Sequence, residues 1–461
     1  MRHYIIIIFT ILYLLFSAFK VKAKEVLNKK PNFIIFIADD AAWNDSGPYG
    51  NEIIKTPNIN KLASEGLVFN NAFLTTSSSS PSRCSILTGR YPHNTGALEL
   101  HMPLSENQLL FVGELQKAGY YTAVAGKYHI GPEREEFDTI YGGTPSGCEY
   151  WMDALSNRPK NKPFLLWLAA LDPHRGYSPG SILKPHKPEE VIVPPYLPDN
   201  ESTRRDLALY YDEISRMDSY IGQIMDELKK QGIDENTLVI YMSDNGHSFP
   251  RAKTRLYDSG IKTPFIVRWA GRIKSDSTDA LISSIDIAPT FCELAGAGIS
   301  KTYQGISFVP ILENPFGNTR AYIAAEHNWH DYQAHERAIR DRDCLYIRNA
   351  FPELNATPPA DAVRSITYQK MIQLYTSGEL EEIYMDCFLS PRPEEELYNV
   401  KDDPYQLFNL AGSPEHEEKL IEMRQLLDEW IIEFEDEVSE NPKPDKFDRW
   451  TGKRLRTGTS K

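Results

Sequence analysis

The sequence predicts an α/β fold, a mixed sheet flanked by helices, with a smaller C-terminal α+β domain of antiparallel sheet plus helix. Three observations lead there: four short runs apolar on both faces, one long stretch with a single apolar stripe, and a change of character beyond Asn314. The runs are Phe33 to Ala38, Tyr121 to Ala125, Phe164 to Leu171 and Leu238 to Met242, each bounded by turn residues. Runs of this kind suit buried parallel strands. Between the last two, Tyr210, Ile214, Met217, Ile221, Ile224 and Leu228 recur at steps of four and three, opened by Ser202 and closed by Gly232, which predicts a helix. Strands alternating with helices give an α/β sheet. Beyond Asn314 the chain turns polar and loop-rich. A last helix follows Ser413-Pro414 and aligns Leu420, Met423, Leu427, Trp430 and Phe434 on one face, the pattern of a helix packed on a small sheet.

Composition sets the boundaries. The 461 residues are 41% hydrophobic and 25% charged, which excludes a disordered or disulfide-stapled chain. Fifty Lys and Arg stand against 64 Asp and Glu, a formal charge of −14, so nucleic acid is not an expected partner. An anionic substrate would need local positive charge in its pocket. Cys84, Cys148, Cys292, Cys344 and Cys387 are irregularly spaced and lack a C-x-x-C pair, leaving one, two or no bridges open. Tyr4 to Phe19 is an apolar run after Arg2, with modest residues at Val21-Lys22-Ala23. This reads as an export signal over 1–23, since about 16 apolar residues fall short of the roughly 20 that span a bilayer. No stable membrane anchor is expected, and the mature protein would be periplasmic or secreted. Losing Arg2, Lys20 and Lys22 with no acid would move the charge from −14 to −17. The expected organisation is then a main domain over 24–314, a second over 315–440 and a solvated polar tail over 441–461.

The residues just past each strand carry the chemistry. Asp39-Asp40 come after the first, Lys127 and His129 after the second, Asp172 and His174 after the third, and Asp244-Asn245 after the fourth. Ligands of open α/β sheets sit outside the carboxyl ends of strands, so these groups should converge on one crevice. Any one of them has an ordinary explanation as a turn former or a structural histidine. Asp39, Asp40, Asp244 and Asn245 form an all-oxygen set without thiolate or imidazole, which suits a hard cation, calcium before magnesium.

A serine run before a proline is by itself the signature of a loop. Here Ser79-x-Pro81-Ser82-Arg83, followed by Leu87-Thr88-Gly89-Arg90, resembles the signature of the formylglycine-dependent sulfatases. Phe33 to Asp40 and Ser243 to Gly246 resemble the family's two metal-binding strand ends, and Gly126 to His129 its Lys/His pair. Glu396 to Ala411 is similar to its closing E-L-Y-D-x-x-x-D-P-x-E-x-x-N-L segment. The likeness runs from about residue 31 to 435. Within the family, Gly126 to Glu133, Asp172 to Arg175 and Val193 to Leu228 look most like the sulfamidase branch, the N-sulfoglucosamine sulfohydrolases and their bacterial polysaccharide-sulfatase relatives.

The resemblance implies an alkaline-phosphatase-like fold and a set of roles. Ser79 would be oxidised to formylglycine (3-oxoalanine), whose hydrated aldehyde is the nucleophile, and would join Asp39, Asp40, Asp244 and Asn245 around one calcium. Arg83 would hold the diol, Lys127 and Lys253 would clamp sulfate, His129 would be the base that frees sulfate from the diol, and His174 the general acid to the leaving group. Ser79 stands where many members have Cys, which implies a radical-type maturase as partner. Lys253 stands where the branch prefers Arg, so Arg251 or Arg255 could serve instead. His101, Asp172, Glu326 and His327 fall where members approach the sugar, with Tyr257 and Asp258 as further candidates. The expected function is an exported sulfatase acting on sulfated polysaccharide or its oligosaccharides, for example ulvan-type O-sulfate esters. The alternatives are an N-sulfoglucosamine sulfohydrolase, a phosphate-ester or phosphonate hydrolase with two zinc ions, and a non-catalytic carbohydrate-binding relative if Ser79 stays unoxidised.

Overall fold

A computed structural model describes residues 30–131 and 136–456; the expected export signal, the end of the Gly126 to Glu133 stretch and residues 457–461 lie outside the described residues. The larger sheet contains β1 (Asn32–Ala38), β2 (Leu67–Phe73), β3 (Tyr121–Gly126), β4 (Thr139–Tyr141), β5 (Phe164–Ala169), β6 (Thr237–Ser243), β7 (Phe265–Arg268) and β8 (Asp276–Ser283). Their order is β4-β3-β5-β1-β6-β7-β2-β8. All pairs are parallel except those of β7 with β6 and with β2. The four runs legible in the sequence are thus the central strands.

Alternation across the pleat builds two cores. Phe33, Ile35 and Ile37 face one side with Trp167 and Ile240, while Ile34, Phe36 and Ala38 face the other with Leu166 and Tyr241. Among the helices, α1 (Pro57–Ser64), α2 (Ser79–Thr88), α3 (Phe111–Lys117), α4 (Glu201–Lys230) and α5 (Ile287–Ala295) surround this sheet. On one side Phe291 of α5 stacks on Phe33 with centroids 4.3 Å apart. On the other α4 buries Tyr210, Ile214, Met217, Ile221, Ile224 and Leu228. Its cap is Asn200, whose side chain accepts from Thr203 N, two residues before the expected Ser202; asparagine is as good a cap, and Ser202 sits in the first turn.

The second sheet is antiparallel throughout, in the order β12-β11-β10-β9, with β9 (Ile323–His327), β10 (Glu336–Arg340), β11 (Cys344–Asn349) and β12 (Glu395–Asn399). One face packs Ile339, Tyr346 and Leu397 under Leu420, Met423, Leu427 and Trp430 of the last helix (Glu417–Phe434). The other presents Ala325, Ala338, Leu345 and Ile347 to Phe73, Leu256, Tyr257 and Ile261 of the larger unit. The small sheet is therefore a filling between that helix and the edge of the main fold. The expected solvated tail is corrected in part: Lys446 N donates to Asp331 O at 2.9 Å, Gln333 N to Asp445 Oδ1 at 2.7 Å, and Arg449 pairs with Asp445 at 2.7 Å. Over Asp445 to Arg449 the tail is held down by these bonds, and Lys443 pairs with Glu99 of the main unit at 3.2 Å. Among the described residues no disulfide forms, and no helix is long and apolar enough to cross a membrane.

This packing has two measurable outcomes. Gly126 ends β3 with φ +93°, and a Cβ there would fall 1.9 Å from Ala169 O and 2.4 Å from Gly147 O. Both obstacles are backbone. Gly126→Ala should lower unfolding free energy by about 3 kcal/mol or more, read by chemical denaturation, since a clash adds to a backbone region that alanine disfavours. His327 and His335 are pushed down to about 4, chiefly by burial, with Arg337 next for His335 and Glu336 opposing for His327. Their folded pKa lies below the unfolded value, so the unfolded chain binds more protons and stability falls as pH drops from about 6.5 toward 4. Each should contribute a slope of about 1.4 kcal/mol per pH unit in that window, and His327→Gln should remove one such increment. An unchanged slope in that variant would mean His327 titrates normally.

Candidate active site

The site forms where β1, β3, β5 and β6 end. Asp39 and Asp40 leave β1, Asp244 and Asn245 leave β6, and all four are fully buried. Asp40 adopts φ 70°, a left-handed conformation that aspartate tolerates better than most residues. Its backbone N–H is 3.2 Å from Asp244 Oδ1, and its Oδ1 accepts from Asn245 Nδ2 at 2.6 Å, which holds the turn. Asp39, Asp40 and Asp244 bring carboxylate oxygens within 4.8 Å of one another.

The serine run is a helix rather than the loop its composition alone suggests. Ser79 opens α2, Pro81 lies in the first turn where a missing N–H costs nothing, and Ser82 N donates to Ser78 O at 2.9 Å. Ser79 and Arg83 are one turn apart and so share a face. Ser79 Oγ is 3.0 Å from Asn245 Oδ1 and 3.4 Å from Asp39 Oδ1. Arg83 donates from Nε to Asp244 Oδ2 at 2.9 Å and from Nη1 to Lys127 O at 2.8 Å, tying α2 to the ends of β6 and β3.

Two ammonium groups complete the charge balance. Lys127 Nζ is 2.6 and 2.7 Å from the oxygens of Asp39 and 3.3 Å from Ser79 Oγ. Lys253 Nζ is 2.7 Å from Asp40 Oδ2. Burial raises both Asp39 and Asp244; Arg83, with Lys127 and Lys253, still holds Asp244 well below the usual carboxylate range, whereas at Asp39 burial outweighs Lys127. The donors are all oxygen, deeply placed and close together, and they fit a hard divalent cation.

Three histidines face the cleft in front. His129 shares a hydrogen bond with His101, Nε2 to Nδ1 at 2.8 Å. Burial, then Lys127 and Arg83, push His129 down to about 2, so it is neutral at ordinary pH. His174 Nδ1 donates to Arg175 O at 2.6 Å, which leaves Nε2 toward the cleft. The cleft encloses about 600 Å³ and is lined by Asp39, His101, Lys127, His129, Asp172 and His174, together with Glu213 and Arg216.

The sequence-derived sugar contacts divide. His101 and Asp172 line the cleft, although Asp172 is already held by Arg216 at 2.6 and 2.7 Å. Burial pushes Asp172 up to about 7 against that pairing. Glu326 and His327 do not reach the cleft, which corrects the expectation. Glu326 is fully buried, accepting from His93 at 2.9 Å and Asn328 at 2.9 Å, and His327 lines a separate small cavity. They lie on a strand sealed between the units, which keeps both side chains from the cleft. Tyr257 donates to Glu396 at 2.6 Å and Asp258 pairs with Arg340, both away from the cleft. Nor can Arg251 or Arg255 replace Lys253: Arg251 donates to the carbonyls of Tyr405 and Gln406, and Arg255 to Glu336 at 2.9 Å.

Sequence reasoning missed Asp361, whose Oδ2 lies 4.0 Å from His174 Nε2, and His330, whose Nδ1 is 2.7 Å from Ser78 Oγ. Asp361 comes after Pro358-Pro359 in a stretch without periodicity, and nothing local marks it.

Comparison with known proteins fits this geometry. The sulfatase family model matches residues 31–153 and 148–297, and the model of the N-sulphoglucosamine sulphohydrolase C-terminal region matches 251–344. An ulvan-active sulfatase of Formosa agariphila is 30% identical over 495 residues, 95% of this chain and 81% of that protein. The N-sulphoglucosamine sulphohydrolase of Homo sapiens is 30% identical over 461 residues, 88% of this chain and 90% of that protein. A solved protein in complex with its substrate D-glucosamine-2-N,6-O-disulfate shares the fold, with TM-score 0.70, 23% identity and 90% and 99% of the two chains covered. The phosphonate monoester hydrolase of Agrobacterium radiobacter shares it too, at TM-score 0.69, 17% identity and 89% and 99% coverage. With a model that spans more than half the chain and relatives at this identity, the chain belongs to the sulfatase family, in its N-sulphoglucosamine sulphohydrolase-like branch, and is a hydrolase of sulfate esters.

Proposed function

We propose that this sulfatase is exported and removes sulfate groups from sulfated polysaccharide or its oligosaccharides, with ulvan-type O-sulfate esters as first choice and N-sulfated glucosamine as the alternative. An ulvan-active and an N-sulphoglucosamine relative, each at 30% identity, support the two substrate classes, and two further ulvan-active relatives at 29% and 28% put the first ahead. The apolar Tyr4 to Phe19 run supports export. The unit over 24–314 would carry the reacting groups, and the unit over 315–440 would close the site from one side.

One observation carries the mechanism: Ser79 Oγ, 3.0 Å from Asn245 Oδ1 and 3.4 Å from Asp39 Oδ1, sits among the acids and within reach of Lys127. Oxidised by a radical-type maturase, position 79 would offer a hydrated aldehyde as nucleophile, and a calcium held by Asp39, Asp40, Asp244 and Asn245 would supply Lewis-acid charge at a sulfate oxygen. Lys127 and Lys253 face the same point with ammonium groups for the non-bridging sulfate oxygens, positive charge that an acidic protein must supply locally. Arg83, fixed to Asp244, orients the group at 79. His129, kept neutral by burial and its cationic neighbours, would act as the base only once the negative charge of a bound sulfate offsets those neighbours. His174 presents Nε2 from a different strand end and can give a proton to the leaving oxygen or nitrogen.

Matured protein should release inorganic sulfate, and Ser79→Ala should reduce this to background; unchanged release would remove Ser79 from the mechanism. Peptide mass spectrometry across Ser77 to Arg90 should show the native residue lighter by two hydrogens, and a fully unmodified residue from the native source would favour a binding protein instead. Metal analysis should find one calcium per chain. Chelation should abolish activity and calcium should restore it, whereas restoration by zinc alone would contradict the all-oxygen reading.

A further inference from the structure

We propose that Asp361 is a positioning residue for His174, a carboxylate supplied by the C-terminal unit that keeps the Nε2 proton of His174 directed at the leaving group. This rests on the reading in which His174 is the general acid.

Two carboxylates face His174 Nε2, Asp40 Oδ2 at 3.8 Å and Asp361 Oδ2 at 4.0 Å. Asp40 is already committed, since Lys253 donates to its Oδ2 at 2.7 Å and Asn245 to its Oδ1 at 2.6 Å. Asp361 is not. Its Oδ1 accepts from Ala362 N at 2.8 Å, and both oxygens lie 3.3 Å from Ser248 Oγ, so Oδ2 retains capacity on the side of His174. Because Nδ1 of His174 is spent on Arg175 O, Nε2 is the ring atom left for a neighbouring carboxylate to orient. At 4.0 Å this is an ionic bias rather than a hydrogen bond.

The approach is built, because the backbone after His174 and the segment carrying Asp361 are tied together at two points. Arg175 Nε donates to Ser248 O at 2.6 Å, and the hydroxyl of that serine contacts Asp361. Behind them, Arg175 Nη1 and Nη2 each donate to Asp206 at 2.9 Å, and Asp206 Oδ2 accepts from Thr367 Oγ1 at 2.7 Å, six residues beyond Asp361. The N-terminal side is anchored by Ala360 N donating to Asp331 Oδ2 at 2.9 Å. A loop that merely passed the cleft would not need this clamp. In the step concerned the nucleophilic oxygen at position 79 forms its bond to sulfur, the S–O bond to the leaving group breaks with its electron pair, and the Nε2 proton moves to the leaving oxygen; water later returns a proton to the imidazole.

The test uses full-length matured protein and a series of phenyl sulfates from 4-nitrophenyl, whose phenolate departs without a proton, to 4-methylphenyl, whose phenolate needs one. Asp361→Asn should lower kcat/KM about 3-fold for 4-nitrophenyl sulfate and about 30-fold for 4-methylphenyl sulfate, a share of the usual effect of general acid catalysis. Asp361→Glu should recover part of the loss on the 4-methylphenyl ester. In the background of His174→Ala, Asp361→Asn should cause no further loss, because the two groups act as a unit. Equal losses across the series, no loss, or full additivity with His174→Ala would overturn the role of Asp361 alone. Equal losses in His174→Ala across the ester series would overturn the general-acid reading and this inference with it.

Discussion

Three carboxyl groups share a single buried spot, and most of what surrounds them answers to that fact. Asp39, Asp40 and Asp244 are removed from water and sit close enough to raise one another's energy, a burden tolerated only where cations stand against them. The protein brings Arg83 from α2, Lys127 from the end of β3 and Lys253 from the loop after β6, one to each carboxylate. Each cation must arrive from a different element, so the strand order, the tight approach at Gly126 and the buried helix α2 are conditions of the charge balance.

Lys253 also bears on the chemistry that the fold hosts. Asp40, His174 and Asp361 bring ligand atoms within 4.8 Å of one another, a grouping that could accommodate a second cation. The ammonium of Lys253, 2.7 Å from Asp40 Oδ2, already supplies a positive charge from the protein itself there. A second ion there would have to compete with that ammonium for Asp40.

The central strands, the stripe of α4 and the residues at the strand ends were legible because burial on both faces and polar groups at carboxyl ends leave local patterns. Ser79 to Thr88 was not legible as a helix from composition, since its ten residues are buried by tertiary packing and carry almost no amphipathic signal. Glu326 and His327 misled for a related reason: their residue types suit a sugar site, but the second sheet is covered on both faces and turns them inward. Asp361 could not be found because its meaning lies in a contact across 187 positions of chain, from His174 to a loop with no pattern of its own.

The burial of Ser79 has a consequence for the life of the chain. Its side chain opens a helix sealed between the main sheet and the loops around it, with 2% of its surface exposed. A modifying enzyme that must grip an extended peptide around that hydroxyl would find no such peptide in the finished protein. If Ser79 is modified as proposed, that step belongs to the interval between synthesis and folding.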